Sequence, residues 1–323
     1  MALLQVKPSL STAITTTRSV FETGKYEVKP ISVDSGDLSI ASPPPPKSLL
    51  VFTPLKEGTY PVLLFLHGFA LYNSFYSKLL THIASHGYIS IAPQLYNPLL
   101  PTASGCDEIN YAAEVTNWFS KGLQSLLPEN ITADLTKLAL TGHSRGGKAA
   151  FALALGTYAK TSLSFSVLIG IDPVAGKSKD NQVEPKILTY KEESLNLGIP
   201  VMVVGTGLGD KKKNVLFCAC APKEVNHEEF FKECKPTKGH MVATNYGHMD
   251  MLNDDPSGII GWFSEISCKN GSGSRELMRK CVGGIVVATL KAYLGSDTTD
   301  LKAIVDDPTI APITLDSVVL DEA

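Results

Sequence analysis

A serine lies in a setting that suits nucleophilic chemistry. The apolar run Leu138–Thr141 leads directly into Gly142-His143-Ser144-Arg145-Gly146, and a helix-forming stretch follows at once. A serine between a buried strand and a helix lies on a sharp turn that exposes its hydroxyl, and the turn requires small residues two positions before and after it. A plain turn serine would not explain all of these features together. We predict that Ser144 is a nucleophile and that its neighbour His143 is structural.

A second motif lies upstream, where the apolar strand Val62–His67 is followed by Gly68 and Phe69. A buried strand that ends in His-Gly-aromatic is typical of the loop that donates a main-chain N–H to a tetrahedral oxyanion. The residue after the nucleophile supplies the second donor. We therefore predict main-chain donors at Phe69 and Arg145, with His67 and Gly68 shaping the turn.

Three histidines follow Ser144 and are candidates for its base. His227 lies in a charged helical stretch, which predicts a solvated side chain. His240 opens a predicted strand and is expected to pack within it. His248 follows the last predicted strand, and Gly247 before it permits the turn that would bring it to the serine. We predict that His248 is the base.

The acid that would orient this base has two candidates. Asp172 follows the strand Ser166–Ile171, at the end where the nucleophile is expected. Asp210 follows the next strand, but three lysines come directly after it and indicate a solvated loop. Asp250 is too close in sequence to His248. We predict Asp172, with Asp210 as the alternative.

Aromatic residues follow the predicted oxyanion loop. We expect Phe69, Tyr72, Phe75 and Tyr76 to line the substrate pocket, although half-buried packing under a helix is an alternative interpretation.

The charges of the chain are nearly balanced, with 29 Lys and Arg residues and 32 Asp and Glu residues. This balance does not favour an ionic substrate or a nucleic acid, which would require a basic face. The substrate is therefore expected to be neutral or apolar.

Two further patterns resemble ligand sites, but each lacks a feature that such a site requires. Gly205–Gly209 is similar to a dinucleotide loop, yet its third glycine comes one residue early and no apolar-periodic helix follows. His82 and His86 have metal-like spacing without a third ligand nearby. We predict no cofactor and no metal. Whether the later cysteines are free or form a disulfide stays open at Cys218, Cys220, Cys234, Cys268 and Cys281.

The elements that must position these residues alternate along the chain. The predicted strands are Leu49–Thr53, Val62–His67, Ile89–Ala92, Leu138–Thr141, Ser166–Ile171, Val201–Val204 and Met241–Asn245. The predicted helices are Tyr76–Ser85, Ala112–Leu127, Gly147–Leu155, Glu224–Cys234, Ile259–Ile266 and Arg275–Leu294. Apolar strands separated by helices indicate a mostly parallel sheet covered on both faces. Together with the serine turn, this predicts an α/β-hydrolase fold.

The chain divides into three predicted parts. Residues 1–47 are expected to form a flexible arm that ends in the stiff linker Pro43–Pro46; residues 48–295 form the catalytic domain, and residues 296–323 form a loosely packed acidic tail. The N-terminus is rich in Ser and Thr, basic and poor in acids, as in organelle transit peptides, although an ordinary N-terminus fits equally well. No run is long and apolar enough for a membrane-spanning helix.

Several longer strings carry a family resemblance. They are Gly142-His143-Ser144-Arg145-Gly146-Gly147-Lys148, Gly170-Ile171-Asp172-Pro173-Val174-Ala175-Gly176, Gly205-Thr206-Gly207-Leu208-Gly209 and Tyr246-Gly247-His248-Met249-Asp250-Met251-Leu252. Shorter ones are His82-Ile83-Ala84-Ser85-His86-Gly87-Tyr88, Ala92-Pro93-Gln94-Leu95 and Asn226-His227-Glu228-Glu229-Phe230. From about Pro44 to the last predicted helix, the chain resembles plant chlorophyllase.

This resemblance implies hydrolysis of the phytyl ester of chlorophyll to chlorophyllide and phytol. The family's triad falls on Ser144, Asp172 and His248, with no metal of its own because the magnesium belongs to the substrate. The transit-like N-terminus favours a chloroplast location, with the cytoplasm or an endomembrane surface as alternatives. We expect peripheral contact with a membrane where the protein reaches its substrate. Two rival functions are a general lipase or carboxylesterase and a non-catalytic binding protein of the same fold.

Overall fold

The computed structural model describes residues 19–37 and 43–322. Its strands are β1 (Val28–Val33), β2 (Leu49–Pro54), β3 (Gly58–Leu66), β4 (Ile89–Pro93), β5 (Ile131–His143), β6 (Val167–Ile171), β7 (Gly176–Ser178), β8 (Asn181–Gln182), β9 (Val201–Thr206), β10 (Lys238–Ala243) and β11 (Leu315–Asp321). Nine of them form one sheet in the order β1-β2-β4-β3-β5-β6-β9-β10-β11, and β7 pairs with β8. The six strands from β4 to β10 in this order are parallel, whereas β1, β2 and β11 pair antiparallel with their neighbours.

Helices cover both faces of this sheet. They are α1 (Ser77–Ser85), α2 (Gly105–Trp118), α3 (Gln124–Leu126), α4 (Ser144–Ala154), α5 (His227–Glu233), α6 (Gly258–Ser267), α7 (Arg275–Gly295) and α8 (Thr299–Asp306). Short 3₁₀ turns lie at Asn73–Tyr76 and Pro308–Ile310, and a π-turn at Phe119–Leu123 joins α2 to α3. The mostly parallel sheet with helices on both faces confirms the predicted α/β architecture.

The alternation of side chains along β3 shows how the core is divided. Val62, Leu64 and Leu66 face the core formed with α2, α4 and α5, whereas Leu63 and Phe65 face the core formed with α1, α7 and α8. All five side chains are fully buried. Because burying each such side chain contributes about 1.5–3 kcal/mol, apolar character along the whole strand stabilises a sheet that is covered on both sides.

The predicted boundary before residue 48 is wrong. Strand β1 pairs antiparallel with β2 and extends the sheet beyond it. Val20 and Phe21 also enter the core against α7, and a Cβ atom at Gly284 of that helix would meet the Phe21 ring. Residues 19–37 are therefore part of the folded domain. Residues 1–18, with nearly all of the transit-like stretch, and residues 38–42 of the expected arm lie outside the described residues.

The acidic tail is also packed, contrary to expectation. Leu301 and Ile304 of α8 are buried against α7, and β11 pairs antiparallel with β10. The strand covers the edge that β10 would otherwise expose, which explains why a polar, acidic segment is ordered here.

The strand order reverses at β3, which has β4 on one side and β5 on the other. In parallel sheets of this kind, sites form outside the carboxyl ends of the strands near such a reversal. The loops that follow β3, β5, β6 and β10 therefore determine which side chains meet.

Candidate active site

The predicted nucleophile lies on a tight turn between β5 and α4. Ser144 has a φ of 57°, a left-handed conformation that non-glycine residues rarely adopt. A Cβ atom at Gly142 would lie 2.4 Å from the carbonyl oxygen of Gly146, and one at Gly146 would lie 2.3 Å from that of His67. Both positions thus exclude a side chain. The turn holds the Ser144 hydroxyl at the N-terminus of α4.

The structure brings Ser144, His248 and Asp172 together. The Ser144 Oγ is 2.8 Å from Nε2 of His248, and Nδ1 of the same ring is 2.7 Å from Oδ2 of Asp172. The hydroxyl of Thr206 donates to the same carboxylate oxygen at 2.6 Å. Burial favours the neutral carboxyl, but the hydrogen bonds from His248 and Thr206 and the nearby imidazoles outweigh it, so the pKa of Asp172 lies below its ordinary value. A buried carboxylate therefore faces the Nδ1–H of His248.

The other acids considered from the sequence lie elsewhere. Asp210 forms ion pairs with Lys211 and Lys223, at 3.2 and 3.8 Å. Asp250 accepts hydrogen bonds from the main-chain N–H groups of Gly247 and Gly271, both at 2.7 Å, and thereby fixes the loop around His248. Neither acid is within hydrogen-bond distance of the His248 ring.

The loop after β3 passes directly beside the nucleophile. A Cβ atom at Gly68 would lie 3.3 Å from that of Ser144. The buried His67 accepts a hydrogen bond from the N–H of Leu95 at Nε2, and burial lowers its pKa to about 4, so the ring is neutral. Within the described residues, the N–H of Phe69 donates no hydrogen bond. The N–H of Arg145 lies in the first turn of α4, where it has no partner within the helix. Both groups are thus available to a ligand.

A buried chain of hydrogen bonds connects this loop to the loop that carries His248. Nε2 of His143 lies 2.9 Å from the main-chain oxygen of His248 and is therefore the protonated nitrogen of the ring. Its Nδ1 then accepts from the hydroxyl of Tyr76 at 2.7 Å, and this hydroxyl accepts from the N–H of Gly68 at 3.1 Å. Burial, together with the nearby His248, lowers the pKa of His143 to about 3. The neutral ring therefore keeps this pattern of donors.

Two of the four predicted pocket residues are in the core. Tyr76 is fully buried, and Phe75 is buried beside it, so the packing interpretation applies to both. Phe69 is exposed, with its ring 4.7 Å from the guanidinium of Arg145. Tyr72 is half-buried and borders an open groove of about 450 Å³, which Tyr96 and Leu99 also line. A substrate could therefore contact Phe69 and Tyr72 without a rearrangement of the core.

The prediction that His227 is solvated is wrong. The ring is buried, and its Nδ1 lies 2.9 Å from Nε2 of His240, while its Nε2 lies 4.0 Å from Oδ1 of Asp172. His240 is buried within β10, as predicted, and burial with the nearby His227 lowers its pKa to about 3. No local pattern indicated this pair, because it forms only when α5 packs against β9 and β10.

A polar cluster beneath the nucleophile also has no signature in the sequence. Nε of Arg145 lies 2.7 Å from the buried carboxylate of Glu108. A terminal nitrogen of the same guanidinium donates to the main-chain oxygen of Ala103. Burial lowers the pKa of Lys148, one turn after Ser144, to about 8. The guanidinium of Arg145 is therefore held by partners on and before α2.

Similarity to known proteins covers almost the whole chain. A family model described as Chlorophyllase matches residues 16–322. Chlorophyllase-1 of Arabidopsis thaliana is 50% identical over 326 residues, which cover 100% of this chain and 98% of that protein. Chlorophyllase-2 of the same plant is 50% identical over 298 residues, or 90% of this chain and 93% of that protein. A relative named chloroplastic chlorophyllase-1 in Citrus unshiu is 49% identical over 319 residues, with 98% and 92% coverage.

The chain belongs to the chlorophyllase family.

This membership makes the protein a carboxylic ester hydrolase. The strings that carried the chlorophyllase resemblance converge on one edge of the sheet: Ser144 follows β5, Asp172 follows β6, Gly207 follows β9 and His248 follows β10. The glycines of the third string are explained by packing, since a Cβ atom at Gly209 would lie 3.0 Å from Oδ2 of Asp172. At Gly205 a Cβ atom would meet the ring of His227, and at Gly207 it would meet the main-chain oxygen of Thr244, so each glycine permits a different close approach.

The structure also bears on cysteines, metals and membranes. Cys220 and Cys268 form a disulfide, whereas Cys218, Cys234 and Cys281 are free. Among residues 19–37 and 43–322, no group of three or more His, Cys, Asp or Glu side chains is arranged to hold a metal ion. Over the same ranges, no helix combines the length and apolar character needed to cross a bilayer.

Proposed function

We propose that this protein hydrolyses the phytyl ester of chlorophyll to chlorophyllide and phytol, with Ser144, His248 and Asp172 as its triad. The observation that carries the proposal is the 2.8 Å contact of the Ser144 hydroxyl with His248 in a member of the chlorophyllase family. A serine hydroxyl becomes a strong nucleophile when a neighbouring imidazole accepts its proton.

The geometry supports a two-step acyl transfer. The Ser144 Oγ attacks the ester carbonyl carbon while its proton moves to Nε2 of His248, and the carboxylate of Asp172 stabilises the imidazolium. The N–H groups of Phe69 and Arg145 donate to the oxyanion, and each such donor contributes about 2.7–4 kcal/mol to the barrier reduction. Collapse expels phytol, which takes the proton from His248. Water, deprotonated by the same imidazole, then releases chlorophyllide and restores the serine.

A combined labelling and pigment assay tests this function. A fluorophosphonate probe is expected to label the protein, and Ser144→Ala is expected to abolish both labelling and release of chlorophyllide. Thr141→Ser, on β5 beneath the turn, serves as a matched control that retains both. A protein that is not labelled but binds pigment would instead be a non-catalytic carrier.

The same preparation separates a chlorophyllase from a general carboxylesterase. We expect kcat/KM for chlorophyll to exceed that for p-nitrophenyl butyrate, because Phe69 and Tyr72 offer apolar contacts that a short acyl ester cannot use. The reverse preference would favour the carboxylesterase.

We also propose a chloroplast location. Two Citrus relatives carry the word chloroplastic in their names, and the transit-like composition of the N-terminus agrees with it. Residues 1–37 fused to a fluorescent protein are expected to direct it to chloroplasts. Cytoplasmic or endomembrane fluorescence would contradict this assignment.

A further inference from the structure

Large exposed apolar side chains are concentrated at the carboxyl ends of the parallel strands, where the proposed triad lies. Of the thirteen that are exposed among the described residues, eight lie on segments that follow the carboxyl ends of the parallel strands β3, β4, β9 and β10. Five of the eight come from only two segments: Val215 and Leu216 in the loop after β9, and Ile259, Trp262 and Phe263 in α6. Apolar clusters of this kind on a surface mark an interaction site.

These two segments form one surface. The ring of Phe217 lies 5.9 Å from that of Phe263, and the amine of Lys213 donates to the main-chain oxygen of Glu265. A disulfide between Cys220 and Cys268 joins the ends of the two segments. We call the five exposed apolar residues, together with Lys211–Lys213, the docking face.

The two chain segments that carry the docking face begin and end beside loops of the proposed triad. The N–H of Leu208 donates to the main-chain oxygen of Tyr246 at 3.0 Å, and the N–H of Ala221 donates to that of Gly209 at 2.9 Å. After α6 the chain returns so close to Gly247 that a Cβ atom there would overlap the oxygen of Lys269. Both segments are therefore anchored at the loops that carry Asp172 and His248.

Charge distinguishes between possible partners. The loop from Asp210 to Lys223 carries four lysines and one acid, and that acid is already paired with Lys211 and Lys223. On the other segment, Asp254 and Glu265 are in ion pairs with basic side chains, which leaves Asp255 as the further acid. Exposed Trp and Phe beside an excess of lysine are the composition that binds anionic bilayers at their interface.

We infer that the docking face binds an anionic lipid bilayer and inserts Leu216, Trp262 and Phe263 at its surface. The inference rests on the proposed function in one respect: an ester with a phytyl chain resides in a lipid phase, and docking there presents Ser144 to it. Binding itself requires no turnover, so it is tested separately.

The chain contains two tryptophans, and only one can report on docking. Trp118 is buried, whereas the side chain of Trp262 is 62% exposed. The full-length Ser144→Ala protein is mixed with pigment-free vesicles of roughly equal parts phosphatidylcholine and phosphatidylglycerol. We expect a blue shift of tryptophan emission and co-sedimentation, and Trp262→Phe should remove the shift.

Substitutions then locate the contact. Leu216→Ser and Phe263→Ser are each expected to weaken sedimentation about tenfold, and Lys212→Glu with Lys213→Glu more than tenfold. Tyr158→Ser, an exposed aromatic at the opposite edge of the sheet, is the matched control that binds as the parent does. Fluorophosphonate labelling of the same variants in a Ser144 background checks that they fold.

Three results would overturn the inference. These are no sedimentation of the parent protein, equal binding to vesicles of phosphatidylcholine alone, or unchanged binding by the Leu216 and Phe263 variants. Dimerisation without vesicles that the same variants abolish would assign the docking face to a second copy of the chain. If vesicles bind while chlorophyll is not hydrolysed, the docking stands and the proposed function fails.

Discussion

The hydroxyl of Tyr76 lies at the centre of a hydrogen-bonded connection between the loop after β3 and the loop that carries His248. Through His143 it is linked to the main-chain oxygen of His248, and it accepts the N–H of Gly68 directly. Each link is fully buried, where an unpaired polar group costs about 1–3 kcal/mol. The hydroxyl therefore positions the proposed base relative to the proposed oxyanion donors without touching the substrate.

Tyr76→Phe tests this positioning role. We expect kcat for p-nitrophenyl butyrate to fall about tenfold, because the loss of one buried hydrogen bond of about 1.4 kcal/mol loosens both loops. KM should change little, since Tyr76 lies outside the accessible groove. Steady-state kinetics with thermal unfolding provide the measurement.

Tyr88→Phe is the matched control, since Tyr88 is buried on the same face of the sheet but does not contact the site. An equal fall in kcat for both variants, or a rise in KM alone, would mean that Tyr76 has only a general packing role.

At the residue scale, the sequence identifies side chains that follow a local motif. Ser144 has its glycines and its strand, and His248 follows a strand end, so the order of residues along the chain is enough to select both. Tyr76 and His227 are different, since their partners are His143 and His240 on other elements. Their roles depend on contacts that no spacing along the chain reveals.

Among the elements, the sequence pattern predicts the central strands but not the edge strands β1 and β11. Val62–Leu66 of β3 is apolar at every position because both of its faces are covered. In contrast, β11 is not buried at any position, and β1 is buried at only one. Their order comes from main-chain hydrogen bonds to β2 and β10, which leave no apolar pattern.

Removing β11 by truncation after Ala311 is predicted to lower the free energy of unfolding by roughly 3–5 kcal/mol, about 1 kcal/mol for each lost hydrogen bond. It exposes the edge of β10, the strand that leads into His248, so aggregation should also increase. Urea unfolding and light scattering measure the two effects.

A shorter truncation that removes only Glu322 and Ala323 leaves the pairing of β10 and β11 intact and serves as control. If the long truncation unfolded at the same urea concentration as the control, β11 would make no contribution to stability.

The whole molecule contains several histidines that are buried in the neutral form. Burial lowers the pKa of His67 to about 4 and those of His143 and His240 to about 3, from an ordinary value of 6.5. Below the ordinary value, the unfolded chain binds protons at these residues and the folded chain does not. Their contribution to the free energy of unfolding is therefore fully present above about pH 6.5 and is lost progressively as the pH decreases towards 4.

His240→Gln is expected to make this decline shallower by about 1.4 kcal/mol per pH unit over that window. Urea unfolding at a series of pH values measures the slope for the parent protein and the variant. A parent whose stability rises on acidification, or identical slopes in both, would show that the rings are not held neutral.

The helix α4 carries the chain from the proposed nucleophile, at the carboxyl end of β5, back towards the amino ends of the parallel strands. There, residues 155–166 lead into β6. Gly156 in this connection has open space around it, and Tyr158 is exposed. An affinity peptide inserted here would lie at the amino end of β6, whereas the proposed triad lies at the carboxyl ends of the strands. A protein tethered to a solid support through this loop would turn its reactive side outward, ready for an oil or lipid phase that flows past it.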